Sequence, residues 1–100
     1  MLTKEEIYDA ISTVIDPEVG FNIVDLGLIY DARILEDGGV HVIMTLSTRG
    51  CPLHQAIKEW VEAAVVNICK VNYCIVEVVW EPAWNITMAK EHVKTALGYY

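Results

Sequence analysis

Apolar residues near the amino terminus recur with the period of an α-helix. Thr3 and Glu6 have the spacing of a capping box, in which each side chain accepts a hydrogen bond from the other residue's backbone. Apolar positions then follow at helical intervals: Ile7, Ile11, Val14 and Ile15. The pattern predicts an amphipathic first helix that stops near Asp16, because Pro17 disfavours helical geometry in the residue before it.

Two strands are predicted next, where the period of the pattern becomes two. One face of each strand is apolar: Leu28, Tyr30, Ala32 and Ile34 in the first, and Val40, Val42, Met44 and Leu46 in the second. Residues 36–39 join them, and the pair Asp37-Gly38 is typical of a β-hairpin. We therefore expect the two strands to be antiparallel.

The clearest periodic signal predicts a long second helix. Its apolar positions are Leu53, Ile57, Trp60, Val61, Ala64, Val65 and Ile68. Alternation then predicts a third strand, with Cys74, Val76, Val78 and Trp80 on one face. Because a long helix joins the second and third strands, we expect these strands to be parallel. Thr87 is predicted to cap a short last helix, with Val93 and Leu97 facing inward and Gly98 closing it.

The order of elements is thus helix, strand, strand, helix, strand, helix. We find no linker or repeat, so residues 1–100 are predicted to form a single domain. The predicted fold class is α/β (α+β): a compact two-layer domain with a three-stranded mixed sheet and helices packed on one face.

The opposite face of the sheet would carry a mixed set of side chains, and we expect a partner or a second copy of the chain to cover part of it. These are Asp31, Arg33, His41, Ile43, Glu77 and Val79.

The charge and composition of the chain argue against several classes of function. Seven basic against fourteen acidic residues give a net charge of −7, so no nucleic-acid binding is expected. No apolar run approaches the ~20 residues of a membrane helix, and the acidic start lacks the apolar core of a signal peptide. We therefore expect a cytoplasmic protein without a membrane segment.

The three cysteines lack Cys-x-x-Cys spacing and form no zinc-finger or ferredoxin pattern.

Candidate chemistry concentrates between the second strand and the second helix, in the run Ser-Thr-Arg-Gly-Cys-Pro at residues 47–52. Pro52 suits the first position of a helix, which predicts Cys51 as the helix N-cap. There the sulfur would meet unpaired backbone N–H groups and the positive end of the helix dipole, which favour the thiolate. On these residues alone, a reactive or metal-binding cysteine and an inert buried cysteine are equal alternatives.

Four segments together resemble a known family. They are Asp-Pro-Glu at 16–18, Asn-Ile-Val-Asp-Leu-Gly-Leu at 22–28, Thr-Arg-Gly-Cys-Pro at 48–52, and the run Trp-Glu-Pro-Ala-Trp at 80–84, followed by Met88. In order and spacing they are similar to the SufT-like and PaaD-like proteins of iron–sulfur cluster assembly. The resemblance covers nearly the whole chain. It implies a maturation factor whose partners are the assembly machinery and the client proteins that receive clusters.

The resemblance also implies one surface pocket, formed by Asp16, Glu18, Ser47, Thr48 and Cys51. Arg49 departs from the family pattern, because it places a positive charge where an uncharged residue is common. Three further residues lie outside the pattern and receive their own interpretations. We interpret His54 as a solvated helix residue, Cys69 as a spectator, and Cys74 as part of the core.

The chemistry of this pocket favours a metal ligand at Cys51. The helix dipole is worth ~0.3–1 kcal/mol, and the carboxylates of Asp16 and Glu18 would offset it by raising the pKa of the thiol. A bound metal reverses this balance, because a coordinating thiol loses its proton and carboxylates favour the cation. One thiolate falls short of the four ligands that clusters usually take. Iron or a cluster would therefore be held transiently and shared with a partner, a small thiol or a second subunit in a homodimer.

Two other functions stay open at this point. An enzyme would use Cys51 as a nucleophile with Asp16, Glu18 or His54 as the base, although the sequence offers no Cys-His-Asx constellation. A regulatory or interaction domain would carry an inert cysteine and bind a client through its surface. For Asp25, a structural role as a hydrogen-bond acceptor and a role in the pocket are equal alternatives. Trp80 is expected to pack against the last helix. We expect accessory binding rather than catalysis.

Overall fold

The structure, a computed structural model, describes residues 1–47, 49 and 53–98. The elements are α1 (Lys4–Ile11), β1 (Ile29–Ile34), β2 (Val40–Met44), α2 (His54–Cys69), β3 (Cys74–Val78) and α3 (Glu91–Ala96), with a 3-10 turn at Ile86–Met88. The predicted class and order are confirmed: this is a small α+β domain with a three-stranded mixed sheet. No helix in the described ranges is long and apolar enough to cross a membrane.

The sheet has the strand order β1-β2-β3. β1 pairs with β2 in the antiparallel sense, with Ala32 opposite Val42. β2 pairs with β3 in the parallel sense, with Val42 opposite Val76. Both predicted pairings are therefore confirmed, and α2 is the helix that carries the chain from β2 to β3.

The predicted capping box starts α1. Thr3 Oγ1 accepts the Glu6 N–H at 3.2 Å, and the Glu6 carboxylate accepts the Thr3 N–H at 3.1 Å. The helix ends at Ile11, however, earlier than the predicted stop near Asp16. The chain turns after Ile11 and no longer follows the helical period, so Ile15 is 47% exposed instead of packing inward.

The core lies between the sheet and the inner faces of α1 and α2. Fully buried side chains from these elements are Ile7, Ile11, Ala32, Val40, Val42, Met44, Ile57, Val61 and Val65. Two predicted core positions of α2, Trp60 and Ile68, are instead 44% and 53% exposed. A helix that packs against one layer buries one stripe, and these two residues lie at its margins.

The carboxyl-terminal segment differs from its prediction. Thr87 does not cap the last helix: the Asn85 side chain accepts the Thr87 N–H at 2.9 Å and starts the 3-10 turn. α3 begins four residues after Thr87, with Lys90 as its N-cap. Val93 is buried as expected, whereas Leu97 is the C-cap and is largely exposed.

Candidate functional site

The candidate site lies where the chain leaves β2 and enters α2. Thr45 and Leu46 are buried, and Ser47 is exposed. The N-cap of α2 is Leu53, so the prediction of Cys51 as N-cap is wrong. Helical hydrogen bonding starts at Leu53, whose carbonyl accepts the Ile57 N–H at 2.9 Å. The N-cap position that was predicted to favour a thiolate is therefore occupied by Leu53 and not by Cys51.

Two of the five predicted pocket residues, Thr48 and Cys51, lie outside the described residues, as do Gly50 and Pro52. The other three are described. Ser47 is exposed three residues after the end of β2, Asp16 is 3% exposed, and Glu18 is exposed.

The chain turns at residues 16–20, and Asp16 holds this turn together. One Asp16 carboxylate oxygen accepts the Glu18 N–H at 2.9 Å. The Asp16 carbonyl accepts the Gly20 N–H at 2.7 Å, and its own N–H donates to the Phe21 carbonyl at 3.0 Å. Asp16 thus fixes the backbone that presents Glu18.

Two surface grooves meet at Trp84. A groove of about 220 Å³ is lined by Leu46, Ser47, Arg49, Trp80, Glu81, Ala83 and Trp84. A second of about 600 Å³ is lined by Glu18, Val19, Trp84, Asn85, Ile86 and Leu97. The Trp84 indole N–H donates to the Leu26 carbonyl at 2.7 Å, which fixes the ring between them. Ser47 and Glu18 therefore line different grooves on either side of one tryptophan, and Asp16 lines neither.

Trp80 forms a small cluster with two residues beside the β2–α2 connection. The Arg49 guanidinium lies 4.7 Å from the centre of the Trp80 ring system, within cation–π range. The His54 ring centre lies 5.1 Å from the Trp80 ring centre, and His54 Nε2 is buried with no hydrogen-bond partner among the described residues. The expectation of a solvated His54 is therefore wrong. The contact between His54 and Trp80 was not predicted from the sequence. It forms because the start of a crossover helix and the end of the following parallel strand lie at the same end of the sheet.

Asp25 joins the 22–27 segment to the start of α3. Its two carboxylate oxygens lie 3.0 Å from Lys90 Nζ and 3.0 Å from His92 Nε2. Its backbone carbonyl also accepts the Lys90 N–H at 2.8 Å. Burial raises the pKa of Asp25, but hydrogen bonds to Lys90 and Asn22 outweigh it, so the net pKa lies below the usual value. These contacts favour the structural interpretation of Asp25.

The lowered pKa of Asp25 predicts a pH-dependent contribution to stability. It is fully present well above the unfolded-state pKa near 3.8 and is lost as the pH falls through the lower pKa of the folded state. We expect Asp25→Asn to reduce the free energy of unfolding by about 1 kcal/mol at pH 7. Urea unfolding from pH 7 to pH 3 should show the difference from wild type shrinking in acid. Asp9→Asn, at an exposed position of α1, is the control, and equal pH profiles for both variants would contradict this role.

The two described cysteines are poor candidates for the reactive thiol. Burial, and then the negative charge of Glu62, raises the pKa of Cys74 to about 12. Burial also raises the pKa of Cys69, whose Sγ lies 3.7 Å from the Glu6 carbonyl oxygen. Both thiols are protonated at neutral pH. The prediction of Cys74 as a core residue is confirmed by its burial.

A metal centre made from described residues alone is not present. Across 1–47, 49 and 53–98, no three His, Cys, Asp or Glu side chains are placed to hold one ion.

Comparison with known proteins identifies the family. The family described as "Iron-sulfur cluster assembly protein" matches residues 4–78. The chain is 42% identical over 95 residues to the Fe-S protein maturation auxiliary factor YitW of Bacillus subtilis, covering 95% of this chain and 93% of that protein. It is 39% identical over 85 residues to the factor SufT of Staphylococcus aureus, covering 85% and 97%.

A solved structure shares the fold. The crystal structure of a domain of unknown function, DUF59, from Bacillus anthracis superposes with a TM-score of 0.89 at 36% identity. The match covers 97% of this chain and 92% of that one. The resemblance seen in the sequence is thereby confirmed, and the chain belongs to the iron–sulfur cluster assembly protein family.

Proposed function

We propose that this accessory factor of iron–sulfur cluster assembly holds iron or a cluster transiently through Cys51 while it passes to a client protein. One observation carries the proposal: segments of the family pattern that are distant in sequence converge on Trp84. Glu18 of the first segment and Ser47, which directly precedes the Cys51 segment, line the grooves that meet there.

Charge near Cys51 in the sequence supports a thiolate ligand. Arg49, two residues before Cys51, is exposed although its guanidinium contacts Trp80. A nearby guanidinium lowers the pKa of a thiol and favours an anionic, thiolate-ligated cluster. Cys69 and Cys74 have raised pKa values, so each is less available as a thiolate ligand at neutral pH.

Ligation is favoured over catalysis because two of the three candidate bases are engaged or enclosed. Asp16 is buried and bonds within its own turn, and His54 Nε2 is enclosed against Trp80. A single thiolate needs further ligands from an assembly protein, a client, a small thiol or a second copy, which fits transient binding. The proposal places the factor in the cytoplasm, where a reducing environment keeps Cys51 free.

Thiol alkylation distinguishes this function from its rivals. At pH 7.5, iodoacetamide should rapidly modify one thiol of the wild type and none of Cys51→Ala, because the other two thiols are protonated. Anaerobic ferrous iron should slow the modification of Cys51 by about tenfold or more. Unfolded protein, in which all three thiols react, is the control.

Two results would count against ligation. Rapid alkylation of Cys51 that iron leaves unchanged would support an enzyme with a nucleophilic cysteine. Slow alkylation of Cys51, with a rate near those of Cys69 and Cys74, would support an interaction domain with an inert thiol.

A further inference from the structure

The smaller of the two grooves at Trp84 carries one residue of each charge. Arg49 and Glu81 both line this groove of about 220 Å³, and both residues are exposed. Neither forms an ion pair with the other or with any charged residue in the described ranges. A ligand with a negative and a positive group would therefore find a complementary charge for each in the same groove.

Trp80 leaves Arg49 well placed to bind a carboxylate. The Arg49 guanidinium lies over the Trp80 ring, 4.7 Å from its centre. Such stacking occupies the flat face of the guanidinium, so the N–H groups in its plane stay available. Their fork matches the two oxygens of a carboxylate. Among the described residues that line either groove, Arg49 is the only cation.

The size and position of the groove restrict the ligand further. Its volume lies below the about 300–1,000 Å³ of pockets for drug-sized molecules, and it suits a molecule the size of an amino acid. Arg49 is two residues before Cys51 in the sequence, and two residues span at most about 7 Å. A small molecule bound at Arg49 is therefore close to the segment that carries Cys51.

We propose that this groove binds a small α-amino-acid thiol, of the class of free cysteine, with its carboxylate on Arg49 and its ammonium group on Glu81. The inference rests on the proposed function, because the thiol of this molecule supplies one of the further ligands that Cys51 needs. The two charges give the ligand its orientation. Thiols that lack either charge bind more weakly.

Three small thiols test the two charges separately. L-cysteine carries both, cysteamine lacks the carboxylate, and 3-mercaptopropionate lacks the ammonium group. Each is titrated into the whole, metal-free, ¹⁵N-labelled chain under anaerobic, reducing conditions. We expect L-cysteine to cause saturable shifts of the Trp80 and Trp84 indole N–H signals but not of Trp60, which lines a different groove. Each of the other two thiols should bind about fivefold more weakly, as expected for the loss of one exposed ionic contact.

Two charge-neutral variants assign each contact to its residue. Arg49→Gln should abolish the preference for L-cysteine over cysteamine and keep the preference over 3-mercaptopropionate. Glu81→Gln should have the opposite effect. Equal binding of the three thiols by the wild type, preferences that neither variant changes, or the absence of saturable shifts would overturn the inference.

The inference and the proposed function fail in different ways. The titrations use metal-free protein, so their result does not depend on whether Cys51 binds iron. Protection of Cys51 by iron without saturable binding of L-cysteine would overturn the inference alone. Charge-dependent binding of L-cysteine by a chain whose Cys51 iron does not protect would overturn the proposed function and leave the groove as an amino-acid site.

Discussion

Gly27→Ala is expected to lower the free energy of unfolding by about 3 kcal/mol or more. Gly27 has a φ of +80°, in the left-handed region that L side chains rarely adopt. An added Cβ would also overlap the backbone carbonyl of Met88. Strained backbone costs about 1–3 kcal/mol, and overpacking adds about 1–3 kcal/mol.

Gly20→Ala separates these two contributions. Gly20 has a similar φ of +86°, but a Cβ there would meet no atom within 4 Å. We expect Gly20→Ala to lower the free energy of unfolding by only about 1 kcal/mol, which is the contribution of backbone strain alone. Urea unfolding of both variants measures the difference. Equal losses would show that the approach to Met88 does not constrain position 27.

This close approach links two segments that carry the family resemblance. Gly27 lies in the 22–28 segment, and Met88 follows the Trp80–Trp84 run. A second contact joins the same two segments, since Trp84 Nε1 donates to the Leu26 carbonyl at 2.7 Å. In the adjoining strand β1, the Tyr30 hydroxyl donates to the Pro82 carbonyl at 2.7 Å. The 22–28 segment therefore supports the tryptophan at which the two grooves of the candidate site meet.

Local patterns were sufficient to predict most of the fold. The Thr3 capping box, the Asp37-Gly38 hairpin and the alternation of β2 each depend on residues close in sequence. The parallel pairing of β2 and β3 followed from the helix between them. Backbone geometry and the burial of one face of each element determine these features, and the spacing of apolar residues in the sequence reflects both directly.

Element ends were predicted less well because local backbone and side-chain hydrogen bonds decide them. Asn85 starts a 3-10 turn where Thr87 was predicted to cap a helix. Leu53, which offers no capping side chain, is the N-cap of α2 where Pro52 pointed to Cys51. The identity of the capping residue does not change the spacing of apolar residues, so the hydrophobic pattern does not predict it.

The site was only partly predictable, because its contacts join distant residues. Glu18 and Ser47 were named from the family pattern, but Trp84 as the residue between their grooves was not. The packing of His54 on Trp80 and the ion pairs of Asp25 likewise join residues more than twenty positions apart. Hydrophobic periodicity predicts which face of a helix or strand a residue occupies, but it does not predict which side chain that residue contacts.

Anaerobic reconstitution with ferrous iron and sulfide tests ligation at Cys51 most directly. The wild type and Cys51→Ala are compared by visible absorption, bound iron and size-exclusion chromatography, with Cys69→Ala as the matched control. We expect the wild type and Cys69→Ala to acquire the same chromophore, and Cys51→Ala to bind at least about tenfold less iron. A chromophore on a dimer would mean that two subunits share the cluster. Equal iron and absorption in Cys51→Ala, or no iron bound by the wild type, would contradict a ligand role for Cys51.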